Sequence, residues 1–164
     1  MKKISPSAGT TLIELILYMG LLSIFLLMIF NLFATILASQ TRSVAVSLVQ
    51  TNGNFILTKL THDINQADSI ITPLTVGTSD TSMVLRVGTS DSDYNVSDGR
   101  LVLTDSTGAS NLNDTDTTVS DFVVKRLGNF GGRQGLQISF TITSNVIDNT
   151  SVKTKSFQTF ASLR

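Results

Sequence analysis

Residues 15–41 read LILYMGLLSIFLLMIFNLFATILASQT and contain no charged side chain. A helix of roughly 20 predominantly apolar residues is enough to span the hydrocarbon core of a bilayer. The stretch is also longer than the apolar part of an ordinary secretory signal, which covers about 7–15 residues. It therefore predicts one membrane-spanning helix. Because Lys2 and Lys3 precede it and only Arg42 closely follows it, the N-terminus is expected in the cytoplasm.

The composition separates this apolar segment from a polar remainder. The chain has 164 residues, of which 41% are hydrophobic and only 15% are charged, whereas a soluble domain has about 25% charged residues. Its 12 basic and 12 acidic residues cancel, so no direct contact with nucleic acid is indicated. Cysteine is absent, which excludes disulfides and thiolate metal sites.

Glu14 is the only glutamate in the protein and stands at the edge of the apolar segment. A carboxylate in the middle of a bilayer costs about 2.5–3.5 kcal/mol on insertion scales, and less near an end of the span. Two interpretations follow. Glu14 lies at the headgroup boundary and is tolerated there, or it waits for a partner charge that another molecule supplies.

The stretch Gly9-Thr10-Thr11-Leu12-Ile13-Glu14-Leu15 resembles the processing site of type IV prepilins and type II secretion pseudopilins. That family has a short basic leader ending in Gly, followed by an apolar mature segment with Glu at its fifth position. Counted from Thr10, Glu14 is the fifth residue. One departure is Thr10 itself, because the first mature residue of the family is usually Phe or Met.

The resemblance implies a set of processing and assembly residues. A prepilin peptidase would remove the leader, residues 1–9, by cutting between Gly9 and Thr10, and Thr10 would then be N-methylated. Glu14 would pair with the Thr10 amine of a neighbouring subunit. The implied partners are other pilin or pseudopilin subunits, the prepilin peptidase, the inner-membrane assembly platform and the membrane. The implied location is the cytoplasmic (inner) membrane, crossed once, and then an extracytoplasmic or cell-surface filament.

The remaining chain divides by its pattern into three further parts. Residues 10–38 form the transmembrane and assembly helix, residues 39–72 an amphipathic continuation, and residues 73–164 an extracytoplasmic β-rich domain. The continuation is predicted from an apolar stripe at helical spacing, Ile56, Leu60, Ile64, Ala67 and Ile71. Gly20 and Asn31 are weak points of the helix, Asn52-Gly53-Asn54 is its expected break, and Thr72-Pro73 is its expected end.

Short apolar or β-branched runs separated by Gly, Asn, Asp and Ser predict the strands. They are Met83–Val87, Leu101–Thr104, Val119–Arg126, Leu136–Thr143 and Val152–Leu163. The alternation in Leu136–Thr143 indicates one buried and one solvated face, and Phe157 and Phe160 are expected in the same core. The predicted fold class is α+β and pilin-like, with a long N-terminal helix packed on a C-terminal antiparallel sheet.

Three short segments resemble a subgroup, the minor pilins and the pseudopilins of the J or W type. They are Leu60-Thr61-His62-Asp63-Ile64-Asn65-Gln66-Ala67, the pair Val119 and Phe122, and the closing Phe157-Gln158-Thr159-Phe160-Ala161-Ser162-Leu163-Arg164. This resemblance implies a low-copy subunit near the filament tip that primes assembly.

Other polar residues are interpreted as surface features. His62, the only histidine, is expected at a solvated helix position. The segment from Asp91 to Gly99 begins like a calcium loop but has Val96 where the turn glycine belongs and Val102 where the bidentate Glu belongs, so a solvated hairpin is favoured over a calcium site. Asp114 and Asp116 are read as solubilising loop residues, and no cofactor is expected.

The sequence thus favours a structural subunit over two alternatives. A signal-anchored extracytoplasmic protein with a ligand-binding β-domain would explain the apolar span but would leave Gly9 and Glu14 as coincidences. An enzyme is the least favoured class, because no constellation of acid, base and nucleophile is visible.

Overall fold

The computed structural model describes residues 11–129, 132–146 and 152–164. In these residues one helix, α1 (Leu12–Gln66, 55 residues), is followed by antiparallel strands only. The predicted α+β class is therefore confirmed. The strands are β1 (Ser69–Thr72), β2 (Ser79–Asp80), β3 (Met83–Val87), β4 (Ser90–Ser97), β5 (Arg100–Asp105), β6 (Gly108–Asn111), β7 (Thr117–Gly128), β8 (Gln134–Ser144) and β9 (Thr154–Ser162).

The strands form two sheets. Sheet A has the order β1-β3-β4-β5-β6, and sheet B has the order β2-β7-β8-β9. Sheet A is a meander from β3 onward, because tight two-residue turns join its strands. The turn Asp98-Gly99 between β4 and β5 has positive φ at both residues, 51° and 72°, which is the conformation that two-residue hairpins require.

The chain divides into two units, Met1–Gln40 and Thr41–Arg164. In the first unit the helix exposes its apolar side chains on all sides. It is long and apolar enough to cross a membrane. A helix that is hydrophobic all round needs an apolar surrounding, so this part of α1 is suited to anchor the chain in a bilayer.

In the second unit α1 buries one stripe against the sheets. The buried residues on α1 are Ala45, Val49, Gly53, Ile56, Leu60 and Ile64. They recur every three or four positions, so they lie on one face. Four of them, Val49, Ile56, Leu60 and Ile64, join the apolar faces of both sheets in a single core. The stripe predicted from Ile56, Leu60 and Ile64 is confirmed.

The expected helix break at Asn52-Gly53-Asn54 is wrong, because α1 runs through it without interruption. Gly53 has a packing role instead of a breaking role. A Cβ placed on it would lie 2.1 Å from Cζ of Phe157, so only glycine allows the ring to lie against the helix backbone. The weak points proposed at Gly20 and Asn31 also lie within the continuous helix.

The helix ends at Gln66 and not at residue 72. Sheet pairing takes over directly afterwards: the Asp68 amide donates to the Arg86 carbonyl at 2.8 Å, and the Asp68 carboxylate accepts from the Gly88 amide at 2.6 Å. The change from helix to strand alters which side chain faces inward. Ile70 is buried and Ile71 is only half-buried, contrary to the predicted stripe.

The predicted strands occur as β3, β5, β7, β8 and β9, with ends that differ by a few residues. β1, β2, β4 and β6 were not predicted, since they are short or rich in Ser, Asp and Gly, which are poor strand formers. Phe157 lies in the core as predicted, but Phe160 does not: it is 59% exposed. Its ring lies across Gly135 of the neighbouring strand, where a Cβ would come within 2.7 Å of it.

Candidate functional site

Glu14 lies in the first turn of α1. Its amide donates to the Thr11 carbonyl at 3.1 Å, which is a helix-initiating bond. The Tyr18 hydroxyl, one turn further along, donates to Glu14 Oε1 at 3.1 Å. An acidic side chain is favoured near a helix N-terminus, where the backbone N–H groups carry partial positive charge. The helix therefore holds one carboxylate at its start, with Tyr18 as its only side-chain partner among the described residues.

The surroundings of Glu14 are apolar and exposed. Leu12, Ile13 and Leu15 are between 55% and 77% exposed. Burying such a surface against lipid or protein would also bury the carboxylate, which is costly unless a positive charge accompanies it. The Glu14 carboxylate is thus suited to bind a positively charged group. Gly9 and Thr10, the predicted cleavage and methylation positions, lie outside the described residues.

No protein-family model, curated protein or solved structure matches the chain. Its functional interpretation therefore depends on its own residues. Within the described part of the chain, Glu14 stands apart as the carboxylate of the apolar half of α1.

A second polar cluster joins α1 to sheet A. Asp63 accepts a hydrogen bond from Lys59 Nζ at 2.9 Å and a short one from the Tyr94 hydroxyl of β4. Tyr94 is 1% exposed. Burial raises the pKa of the Tyr94 phenol, and the hydrogen bond to Asp63 raises the pKa further. This cluster fastens the helix to the sheet. Sequence analysis did not indicate it, because Tyr94 lies in a segment interpreted as a solvated hairpin.

His62 lies beside this cluster, with its side chain 59% exposed. Its Nδ1 lies 3.2 Å from Asp63 Oδ1, and its Nε2 lies 3.3 Å from Gln66 Nε2. The predicted solvated helix position is thus where the structure places it. No group of three His, Asp or Glu side chains that could hold a metal occurs in the described residues.

The segment that resembled a calcium loop is mostly strand β4. Successive side chains of a strand point to opposite faces, so Asp91 and Asp93 share one face while Tyr94 points into the core. In a calcium loop the ligand oxygens must instead all lie about 2.3–2.6 Å from a single ion. The predicted hairpin is confirmed, since β4 pairs with β5. The prediction that the segment is solvated is wrong for Tyr94, which is buried.

The Asp91 carboxylate on this face is paired with Arg86 of the neighbouring strand β3. Arg86 Nε and Nη2 donate to the two Asp91 oxygens at 2.8 and 2.9 Å. These bonds lower the pKa of the Asp91 carboxyl and raise the pKa of the Arg86 guanidinium. Asp93 Oδ1 is out of contact with solvent and has no hydrogen-bond partner among the described residues.

The loop before β7 contains a structural residue that sequence reasoning missed. Asn113 is 4% exposed. Its Oδ1 accepts from the Leu101 amide at 2.9 Å, and its Nδ2 donates to the Thr117 carbonyl at 2.7 Å and toward the Gly99 carbonyl at 3.3 Å. Next to it, Asp114 is exposed, and its carboxylate accepts from the Thr115 amide at 2.7 Å. The loop is therefore held by an amide, while the predicted surface position of Asp114 is correct.

Arg126 of β7 fastens the segment that follows β1. Its Nη1 donates to the carbonyls of Ile70, Pro73 and Leu74 at 3.1, 2.8 and 2.9 Å. Its Nε donates to Gln134 Oε1 at 3.1 Å. A polar pocket with Arg126, Arg133 and Arg164 in its lining lies beside it. Because the Arg126 guanidinium already donates to four oxygens, three backbone carbonyls and Gln134 Oε1, its role is structural.

Proposed function

We propose that the chain is a structural subunit of a type IV pilus or of a type II secretion-like pseudopilus. In this proposal it is stored in the cytoplasmic membrane, processed after Gly9 and assembled through the apolar half of α1. The observation that carries it is the placement of Glu14: one carboxylate in the first turn of a helix whose surface is otherwise apolar and exposed.

Processing would supply the positive charge that Glu14 lacks. Hydrolysis of the Gly9–Thr10 peptide bond leaves a carboxylate on Gly9 and a protonated amine on Thr10, and N-methylation keeps that charge. In the sequence Thr10 precedes Leu12, the first residue of α1, by two positions. In a stack of subunits shifted along the helix axis, the amine of one chain can meet Glu14 of the next, and the ion pair would set the axial shift.

Tyr18 has a supporting part in this proposal. Its hydroxyl satisfies one Glu14 oxygen, so the carboxylate keeps a hydrogen bond while the subunit waits in the membrane. A charge-assisted hydrogen bond is roughly twice as strong as a neutral one, and removing one partner of a buried ion pair costs about 3–5 kcal/mol. Tyr18 is therefore expected to assist storage, whereas Glu14 is required for assembly.

Within the family we assign the chain to the minor subunits that act at the tip or prime assembly. The support is the resemblance of the segment from Leu60 to Ala67 and of the closing strand. No enzymatic activity is part of the proposal.

The decisive experiment combines N-terminal sequencing with two matched variants. Mature protein from membranes is expected to begin at Thr10 with an N-methyl group. Glu14→Gln keeps size and polarity but removes the charge, and it is expected to abolish incorporation into filaments. Tyr18→Phe removes only the hydrogen bond and is expected to retain most incorporation. Normal incorporation of Glu14→Gln would refute the proposal.

The same sequencing separates the proposal from its alternative. A signal-anchored protein with a ligand-binding β-domain would keep Met1, or would begin near Ser39 after removal of the apolar segment. An intact Met1 would leave Glu14 without its counter-charge, and a start near Ser39 would remove Glu14 altogether. Either result would favour the anchored domain.

A further inference from the structure

Four polar side chains interrupt the apolar part of α1 between Leu15 and Ala38, and three of them are already satisfied. The Tyr18 hydroxyl donates to Glu14. The Ser23 hydroxyl donates to the Met19 carbonyl at 2.8 Å, and the Thr35 hydroxyl donates to the Asn31 carbonyl at 2.9 Å. The fourth, the carboxamide of Asn31, makes no hydrogen bond to any residue that the structure describes.

This unpaired carboxamide lies near the middle of residues 15–41, where a bilayer offers no water. Transferring an amide from water to hydrocarbon without a hydrogen-bond partner costs several kcal/mol of free energy. A Ser or Thr hydroxyl can bond the carbonyl one turn earlier in its own helix, but Asn31 does not use this route here. In this conformation the Asn31 carboxamide is available to a partner from outside its own helix.

The surface around Asn31 is suited to a close neighbour. At about 100° per residue, Gly20 and Ala38 lie within about 20° of Asn31 around the helix axis, and Ala34 lies within about 60°. Nothing lies within 4 Å of the position that a Cβ on Gly20 would take. Small residues on one face let two membrane helices approach closely, and polar side chains then bond across the contact.

We propose that two copies of this chain pair in the membrane through Asn31, with Gly20, Ala34 and Ala38 at the contact. Every copy crosses in the same direction, so every Asn31 lies at the same depth. A carboxamide carries both donors and an acceptor, so two of them are self-complementary: each N–H donates to the other oxygen. A copy of the same chain thus meets the requirement with no further component.

This pair differs from the filament contact of the proposed function. The filament contact needs chains shifted along the axis so that Glu14 meets a neighbour's Thr10, whereas the Asn31 pair needs chains in register. The in-register pair is the stored form. The inference shares with the proposed function only the placement of residues 15–41 in a bilayer.

Disulfide trapping in the full-length chain tests the pair, because the protein has no cysteine of its own. A cysteine is introduced at Ala38, on the Asn31 face, or at Phe33, about 160° away on the helix, and native membranes are oxidised. Ala38→Cys is expected to give a covalent dimer and Phe33→Cys to give little. In the Ala38→Cys background, Asn31→Leu is expected to lower the dimer yield about three- to tenfold, in line with interhelical hydrogen-bond strengths.

Two matched variants test whether pairing depends on the carboxamide itself or on any polar side chain in this part of the helix. Asn31→Gln keeps the amide and is expected to retain the dimer. Thr35→Val removes a hydroxyl that is already satisfied within the helix and is expected to change nothing. Carbonate extraction checks that each variant remains inserted.

Three results would overturn the inference: an unchanged dimer yield in Asn31→Leu, equal trapping at Phe33 and Ala38, or trapping to a chain of a different mass. The Glu14→Gln variant keeps the two proposals apart. Filaments that form normally without the Glu14 charge would refute the proposed function and leave the pair standing, whereas loss of filaments with trapping retained supports both.

Discussion

The ring of Phe157 lies against the backbone of Gly53, with Cζ only 2.1 Å from the point where a Gly53 side chain would begin. The same ring stacks on Phe140 of the adjacent strand, with centroids 5.5 Å apart, and the Lys155 ammonium lies 5.3 Å from its centroid. One aromatic side chain thus joins the helix to sheet B. The closeness of this contact sets the distance between the two elements.

Gly53→Ala is expected to destabilise the protein although alanine favours helices. The gain in helix propensity is about 1 kcal/mol, while overpacking a core contact costs about 1–3 kcal/mol and here meets a whole ring. We expect a net loss of about 1–2 kcal/mol. Hydrogen exchange of the β8 amides in the full chain in detergent would measure it. Asn54→Ala, an exposed neighbour on the same helix, is the matched control and should change little or stabilise.

A double-mutant cycle isolates the contact. In a Phe157→Leu background the ring is gone, so Gly53→Ala should cost much less or become stabilising. Equal costs in both backgrounds would show that the Phe157 ring does not restrict position 53.

The Tyr94–Asp63 bond predicts a loss of stability in alkaline solution. The folded protein holds the pKa of Tyr94 above its ordinary value of 10.0, so between the unfolded and folded pKa values only the folded state keeps the proton. The contribution is complete below pH 10 and is lost as pH rises above it, by about 1.4 kcal/mol per pH unit. Tyr94→Phe should remove this slope above pH 10. An identical slope in Tyr94→Phe would assign the loss to other groups.

Asn113→Ala should be among the most damaging single substitutions in the β-domain. It leaves the buried Leu101 amide and the Thr117 carbonyl without their partner, and each unsatisfied buried group costs about 1–3 kcal/mol. We expect a loss of about 3 kcal/mol, measured by urea unfolding of the full chain in detergent. Asn113→Asp should be similarly damaging, because a carboxylate would face carbonyl oxygens. Asn111→Ala, exposed on β6, should be close to neutral.

Arg126→Lys should loosen the segment after β1. A single ammonium cannot reproduce a planar guanidinium that reaches three carbonyls and Gln134 together, and we expect a loss of about 2 kcal/mol. Faster hydrogen exchange of the β1 amides would report it locally. Arg86→Lys serves as the control, because its ion pair with Asp91 is exposed and surface pairs contribute little. Equal effects of the two substitutions would contradict the prediction.

The sequence by itself determined the features of this protein that depend on apolar composition and on the periodicity of apolar residues. Residues 15–41 carry enough apolar surface to require a lipid-like surrounding whatever follows them. The alternation in β8 and the stripe of Ile56, Leu60 and Ile64 fix their inward faces, because side-chain direction follows directly from the backbone period. The unusual position of Glu14 was visible for the same reason, as a charge against an apolar pattern.

Only the tertiary structure decided the residues whose role depends on a partner distant in the chain. Gly53 appears as a helix breaker until Phe157 is seen against it, and Asp63 and Tyr94 are separated in sequence yet share one hydrogen bond. Strand β4 carries too many polar residues to be predicted from propensity. Its extended conformation is held by pairing with β3 on one side and β5 on the other. Propensity is local, whereas packing and cross-strand pairing are not, so the second class of information exists only once the chain has folded.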